Sequence, residues 1–363
     1  MNIASSPTTF VFIGTYNRPH PAGENMARGI VVYRIDPASG ELSLASTVPA
    51  VVDPSYLAMH TRHPWLYAVN ERSEGGVSAL AFDARSGTLA AMNQQLSHGD
   101  SPAHISLDLS GQWVLTANYG TGKIAVLPIQ GDGSLGPATS TVQHEGHSVH
   151  PQRQQGPHAH YITVDPANRF VLVADLGLDA IMSYRFDQEA GTLAPNDPPA
   201  VAMQPGAGPR HIAFHPSGSF AYVINELDST IVACEYDAVQ GRLHPIQHES
   251  TLPPDFSGES TTAAIRVAPS GRFLYGSNRG HDSLAIFTID PTSGRLSSIG
   301  HVSTQGQTPR DFNIDPTGTF LLAANQASNS IVTFRIDHES GELSPTGHVV
   351  EVISPTCVTF GSW

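Results

Sequence analysis

A Gly-x-Leu triplet recurs seven times, opening at Gly40, Gly87, Gly133, Gly191, Gly241, Gly294 and Gly341, with gaps of 47, 46, 58, 50, 53 and 47 residues. Spacing this regular restricts the chain to architectures that repeat one supersecondary unit. A second register runs in step with it. An aromatic residue stands five positions before a turn-favouring polar residue in every copy: Phe10 and Thr15, Trp65 and Asn70, Trp113 and Asn118, Phe170 and Asp175, Phe220 and Asn225, Phe273 and Asn278, Phe320 and Asn325. Residues 208–228 (GPRHIAFHPSGSFAYVINELD) show the unit most clearly. An alternating strand with Ile212 and Phe214 enters a turn at Pro216, Ser217 and Gly218, and Phe220 to Ile224 returns, the pattern of a β-hairpin. A third strand follows each polar residue, as at 231–236, 284–289 and 331–336, and the Gly-x-Leu turn leads into a fourth. Four antiparallel strands in roughly 50 residues describe one blade of a β-propeller. Helical periodicity is absent.

The ends of the chain close the ring. Residues 356–360 match the first strand of each unit, and residues 9–15 match the second with no first strand before them. The two ends therefore share one blade, which removes an open sheet edge. The expectation is an all-β fold: a single seven-bladed propeller over residues 1–363, four antiparallel strands per blade. Stacked small units also explain how 363 residues avoid the limit of about 250–300 residues on one growing core. The longest gap holds an insertion at residues 143–157 (QHEGHSVHPQRQQGP), polar and His-rich, expected as a surface loop over one face.

Composition excludes several classes of partner. No run of about 20 apolar residues is present, so no membrane span is expected. Residues 1–17 lack a basic flank, a long apolar stretch and a small-residue cleavage site, which favours a cytoplasmic location. The formal charge of −14 argues against nucleic acid and anionic membrane as partners. The basic residues are 17 Arg and a single Lys, Lys123, and the guanidinium fork suits carboxylate or phosphate. Cys234 and Cys357 lie in separate strand-like runs and are expected as buried, reduced thiols. Oligomeric state leaves no mark on the sequence.

In a propeller the first strand of each blade lines the central channel. Its start lies on the same face as the end of the second strand. The starting positions are Ser55, Ala103, His160, Arg210, Ala263, Arg310 and Thr356. The positions just past the second strands are Tyr16, Glu71, Tyr119, Leu176, Glu226, Arg279 and Gln326. His160, Arg210, Arg279 and Arg310 thus converge with Glu226 and Glu71 at one mouth, an anion site in an acidic protein. Like charges gathered there need a ligand or carboxylates to compensate them. The alternative is that each Arg pairs with an acid of a neighbouring blade (Glu226, Glu71 or Asp311) and merely holds the ring together. His158 and His160 form an H-x-H pair, but no third ligand follows at a fitting spacing, so neither a metal nor another cofactor is expected. Nucleophile-elbow, phosphate-loop and dinucleotide motifs are absent.

The stretches GPHAHYITVDP (156–166), VADLGLD (173–179), GPRHIAFHP (208–216), VINELDS (223–229), SNRGHDS (277–283) and TPRDFNIDPTG (308–318) resemble the motifs of the seven-bladed propeller lactonase family. That family includes bacterial propeller-type 6-phosphogluconolactonases and a fungal enzyme that lactonises carboxymuconate. The resemblance runs nearly end to end. It implies a catalytic set at His160, Arg210, Glu226 and Arg279, to which the channel-mouth positions and the H-x-H pair add Arg310, Glu71, Tyr119 and His158 as expected substrate-binding residues. It also implies hydrolysis of 6-phospho-D-glucono-1,5-lactone, a step of the pentose phosphate pathway, on a small anionic substrate without a cofactor. On this reading the Arg residues bind the anion and stabilise the oxyanion, either Glu226 or His160 is the general base, and Arg210→Ala and Glu226→Gln abolish turnover while largely sparing thermal stability. Many relatives carry an acid after the paired alanines that open blade six, where this chain has Ala264. Two alternatives stay open: a lactonase or lactonising cycloisomerase for another acidic or sugar lactone, and a non-catalytic propeller that binds protein partners.

Overall fold

The computed structural model describes residues 8–17, 29–49 and 51–363. Among these residues, 28 strands form seven four-stranded antiparallel sheets, a seven-bladed β-propeller with no helix. Blade one joins Thr9–Thr15, Ile30–Ile35 and Leu42–Val48 to Pro355–Ser362 from the far end of the sequence. Pro355–Ser362 pairs with Thr9–Thr15 from Thr9↔Ser362 to Thr15↔Pro355, so the ring closes as the sequence repeats require. Blades two to seven each take four consecutive strands and begin with Leu57–Met59, Pro102–Leu107, Ala159–Val164, Pro209–Phe214, Thr261–Val267 and Pro309–Ile314. Those opening strands, with Pro355–Ser362, lie against one another around the channel.

One contact explains both sequence registers in six of the seven copies. All seven glycines of the Gly-x-Leu turns have φ between 62° and 89°, the left-handed region that L side chains avoid. A Cβ at Gly133, Gly191, Gly241, Gly294 or Gly341 would collide with the ring of Trp65, Trp113, Phe170, Phe220 or Phe273 in the preceding blade. Gly40 of blade one meets Phe320 of blade seven in the same way, which carries the contact across the closure. Tyrosine hydroxyls reinforce it, with Tyr67, Tyr222 and Tyr275 donating to the carbonyls of Gly133, Gly294 and Gly341 at 2.9, 3.0 and 2.9 Å. The apolar core is accordingly distributed between blades. One cluster unites Phe273 and Leu284 of blade six with Phe334 and Leu343 of blade seven. Cys234 and Cys357 are buried free thiols within this core.

In several blades the turn-polar residue ties the second strand to the segment that crosses into the blade. The amides of Asn118, Asn278 and Asn325 donate to the carbonyls of Ser97, Thr251 and Thr304 at 3.1, 2.7 and 3.0 Å. Asp175 accepts instead, from the backbone N–H groups of His158 and Gly177 at 2.7 and 3.0 Å. Its other oxygen meets Nδ1 of the fully buried His144 at 2.6 Å. That pair anchors the start of the insertion. Ser148 donating to Asp179 at 2.6 Å and buried Gln154 donating to the Leu176 carbonyl at 2.8 Å hold it further along. The insertion is a loop at the surface, as expected, but one pinned to blade four rather than loosely solvated.

Candidate active site

The residues aimed into the channel mouth owe their direction to a shared irregularity. In blades three, four, five and seven the inner strand slips register across one residue: Ala103, His160, Arg210 and Arg310. Blade six slips across Ala263 and Ala264. A β-bulge leaves its extra residue unpaired and re-aims its side chain, here toward the axis. The facing set is fixed through the backbone. Glu226, Glu71 and Tyr119 donate their N–H groups to the carbonyls of Gly208, Asp53 and Ser101, just before the inner strand of each blade. Two sets from consecutive blades therefore face each other across one opening.

A cavity of about 260 Å³ occupies that opening, lined by Glu71, Ala103, Tyr119, Arg153, His160, Glu226, Arg279 and Arg310. Glu226 is part of this lining and is 4% exposed. Its Oε2 accepts from Arg210 Nε at 2.8 Å and meets Arg279 Nη2 at 3.0 Å. Its Oε1 accepts from Arg153 Nη2 at 2.6 Å. Arg210 lies beneath the cavity wall, where Nη1 donates to the Ala263 carbonyl at 2.7 Å and meets His211 Nε2 at 3.0 Å. Arg279 donates to the Thr262 carbonyl at 2.6 Å. Arg310 donates to the Tyr16 hydroxyl at 2.9 Å, with its guanidinium 5.4 Å from that ring's centre. Tyr16 in turn donates to Glu71 at 2.8 Å.

Four guanidinium groups thus stand against two carboxylates among the described residues, and the electrostatics follow. Burial alone would raise the Glu226 carboxyl, but Arg279 and Arg210 overcome it and hold the group well below the usual range. Burial, with Arg279 beside it, pushes Arg210 down to about 9. His160 is held well below the ordinary histidine value, by burial first and then by Arg210. Its imidazole is therefore neutral near pH 7. The Nδ1 of His160 is buried with no hydrogen-bond partner.

Next to His160, aromatic rings of the inner strands pack against one another. His211 lies 5.4 Å from His160, 5.7 Å from His104 and 4.9 Å from Tyr161, measured between ring centres. Below them Arg266 pairs with Asp311 at 3.0 Å. Asp311 is thus engaged by Arg266 rather than by an Arg of the mouth.

Comparison with known proteins places this architecture. The sequence profile described as "Lactonase, 7-bladed beta-propeller" matches residues 10–360. The chain belongs to the seven-bladed β-propeller lactonase family. Among its relatives, a 6-phosphogluconolactonase of Bacillus subtilis is 40% identical over 305 residues, 84% of each chain. A 6-phosphogluconolactonase of Formosa agariphila is 33% identical over 84% of this chain and 86% of its own. The structure of a periplasmic gluconolactonase of Pseudomonas aeruginosa superposes with a TM-score of 0.90 at 34% identity, covering 97% of this chain and 99% of that one. This chain is accordingly an enzyme of the lactonase family.

Within that family frame, His160, Glu226, Arg279, Arg310, Glu71 and Tyr119 meet at one cavity, and Arg210 backs it without lining it. His158 is not in the lining. It stacks on Tyr119 at 4.5 Å between ring centres, its Nδ1 2.8 Å from the Tyr119 carbonyl, and so supports the tyrosine from behind. Ala264 is fully buried in the core between blades six and seven, where its N–H donates to Ser277 Oγ at 2.9 Å. Among the described residues no group of three or more His, Cys, Asp or Glu side chains could hold a metal ion, and no helix is long and apolar enough to cross a membrane. Arg153 is the residue that the sequence reading missed. It arrives from the insertion, outside the repeat register, and only the excess of Arg over Lys hinted at it.

Proposed function

We propose that the chain hydrolyses a δ-lactone of a sugar acid carrying an anionic substituent, with 6-phospho-D-glucono-1,5-lactone, opened to 6-phosphogluconate, as the leading substrate. One observation carries this reading: a small cavity in a chain of charge −14 is walled by more guanidinium than carboxylate groups among the described residues. A ring ester with a phosphate fits that balance better than a neutral sugar does. Named relatives that act on 6-phosphogluconolactone or gluconolactone support it.

In the proposed reaction His160 Nε2 takes a proton from water as the water oxygen attacks the lactone carbonyl carbon. Negative charge grows on the carbonyl oxygen and is met by Arg279, an electrostatic contribution of the kind typically worth about 3–4 kcal/mol. The bond from the carbonyl carbon to the ring oxygen then breaks. The imidazolium returns its proton to the departing alkoxide, leaving an open hydroxy acid. Arg310, braced by Tyr16, holds the phosphate. Glu226 is held too acidic by its Arg partners to be a useful base in this state, and it serves to align them.

The test is a pH-stat panel near neutrality with 6-phosphogluconolactone, glucono-1,5-lactone and carboxymuconolactone. The reading requires the phosphorylated lactone to have the highest kcat/KM. A preference for the muconolactone would assign the site to lactonising chemistry, and turnover of none of them would overturn the proposed substrate class.

A further inference from the structure

The three arginines on Glu226 are not equivalent. Arg210 and Arg279 have side chains 3% and 15% exposed and each donates to a backbone carbonyl of blade six as well. Both bind Oε2. Among the described residues Arg153 alone holds Oε1, its side chain is 36% exposed, and the other partner of its guanidinium is the Tyr119 hydroxyl at 3.2 Å. It stands on the insertion, a segment outside the repeated blade that reaches over the cavity. Oε1 is thus masked by the one cation of the group that no backbone carbonyl tethers.

We propose that Arg153 is a specificity-determining latch: the anionic substituent of the substrate draws it off Glu226, and the carboxylate oxygen so freed helps to position the attacking water. The proposal rests on the lactonase reading and deepens it. A phosphate dianion offers Arg153 a bidentate, doubly charged partner in place of one shared carboxylate oxygen. Once released, Oε1 lies on the cavity wall shared with His160 and accepts one hydrogen of the water whose other proton His160 removes. Binding of the anion then raises kcat as well as affinity, because the interaction is realised along the way to the transition state. A neutral lactone leaves the latch closed and is turned over slowly for that reason, not only because it binds weakly.

Inorganic phosphite dianion tests this as a stand-in for the phosphate. Added to the wild-type protein with neutral glucono-1,5-lactone, it is expected to raise kcat about tenfold or more, within the usual range for coupling between two ligands. Arg153→Ala is expected to lose the activation, to hydrolyse the neutral lactone faster than the wild type does without phosphite, and to lose most of its preference for the phosphorylated lactone. Arg153→Lys, which keeps the charge but not the fork, retains a part of the activation. The latch is overturned alone if the wild type hydrolyses both lactones while phosphite only inhibits or does nothing, or if Arg153→Ala is activated equally. A wild type that hydrolyses neither lactone overturns the underlying reading and the latch with it.

Discussion

The chemistry turns on a buried glutamate surrounded by arginines and on a histidine kept neutral beside them. Because His160 is held well below the ordinary histidine value of 6.5, first by burial and then by Arg210, kcat/KM is expected to stay flat as the pH falls through 6.5 and to decline only at lower pH. An acid limb centred at or above 6.5 in the pH–rate profile would remove His160 from the role of base. Burial also changes what the sequence implied for stability. Read as rim residues, Arg210 and Glu226 looked dispensable to folding. In the structure Arg210 is 2% exposed and Glu226 4%, and breaking a buried pair leaves a charge uncompensated. Glu226→Gln is therefore expected to lose about 3–5 kcal/mol of stability in urea denaturation. A loss below about 1 kcal/mol, as for an exposed pair, would show that the arginines do not depend on it.

At the level of elements, the hairpin unit was legible because its two sequence registers mark one glycine–aromatic contact repeated around the ring. Gly294→Ala illustrates the contact. With φ at 68° and Phe220 in the way, the added methyl is expected to destabilise by about 1–3 kcal/mol. Pairing it with Phe220→Leu should recover part of that loss in a double-mutant cycle, and strict additivity would refute the contact. Gly131, with nothing near its Cβ position, is the control. The bulges at His160, Arg210 and Arg310 were not legible, since one extra residue in a strand leaves no compositional trace. The strand-start positions nevertheless coincide with these bulged residues, because each stands fifteen residues before the polar residue that ends a regular second strand. Arg153 escaped for the opposite reason: an insertion has no counterpart in other blades against which an unusual residue would stand out.

Across the whole molecule, closure by the two ends of the sequence puts every blade in register around one axis, and that is what lets residues from 71 to 310 share a cavity. The same packing buries His104, His160 and His211 as neutral rings, each held well below 6.5, with burial as the first cause. The unfolded chain takes up protons on these groups before the folded one does. Stability is therefore lost progressively as pH falls below 6.5, and the depressed Glu226 carboxyl adds its own loss at lower pH in the same direction. The melting temperature should fall between about pH 7 and pH 5, with a shallower slope in His104→Phe; a flat profile would mean the rings titrate normally. Sequence alone could not show that cluster, since histidines scattered over turns and histidines packed together on inner strands look alike in one dimension. The most direct test of the account is hydrolysis of 6-phosphogluconolactone by the wild type and by Arg279→Ala, each confirmed folded by its melting curve. A fall in kcat/KM of about 10²–10³ is the result predicted. Equal rates in the two proteins would contradict a catalytic role for the arginine-lined mouth.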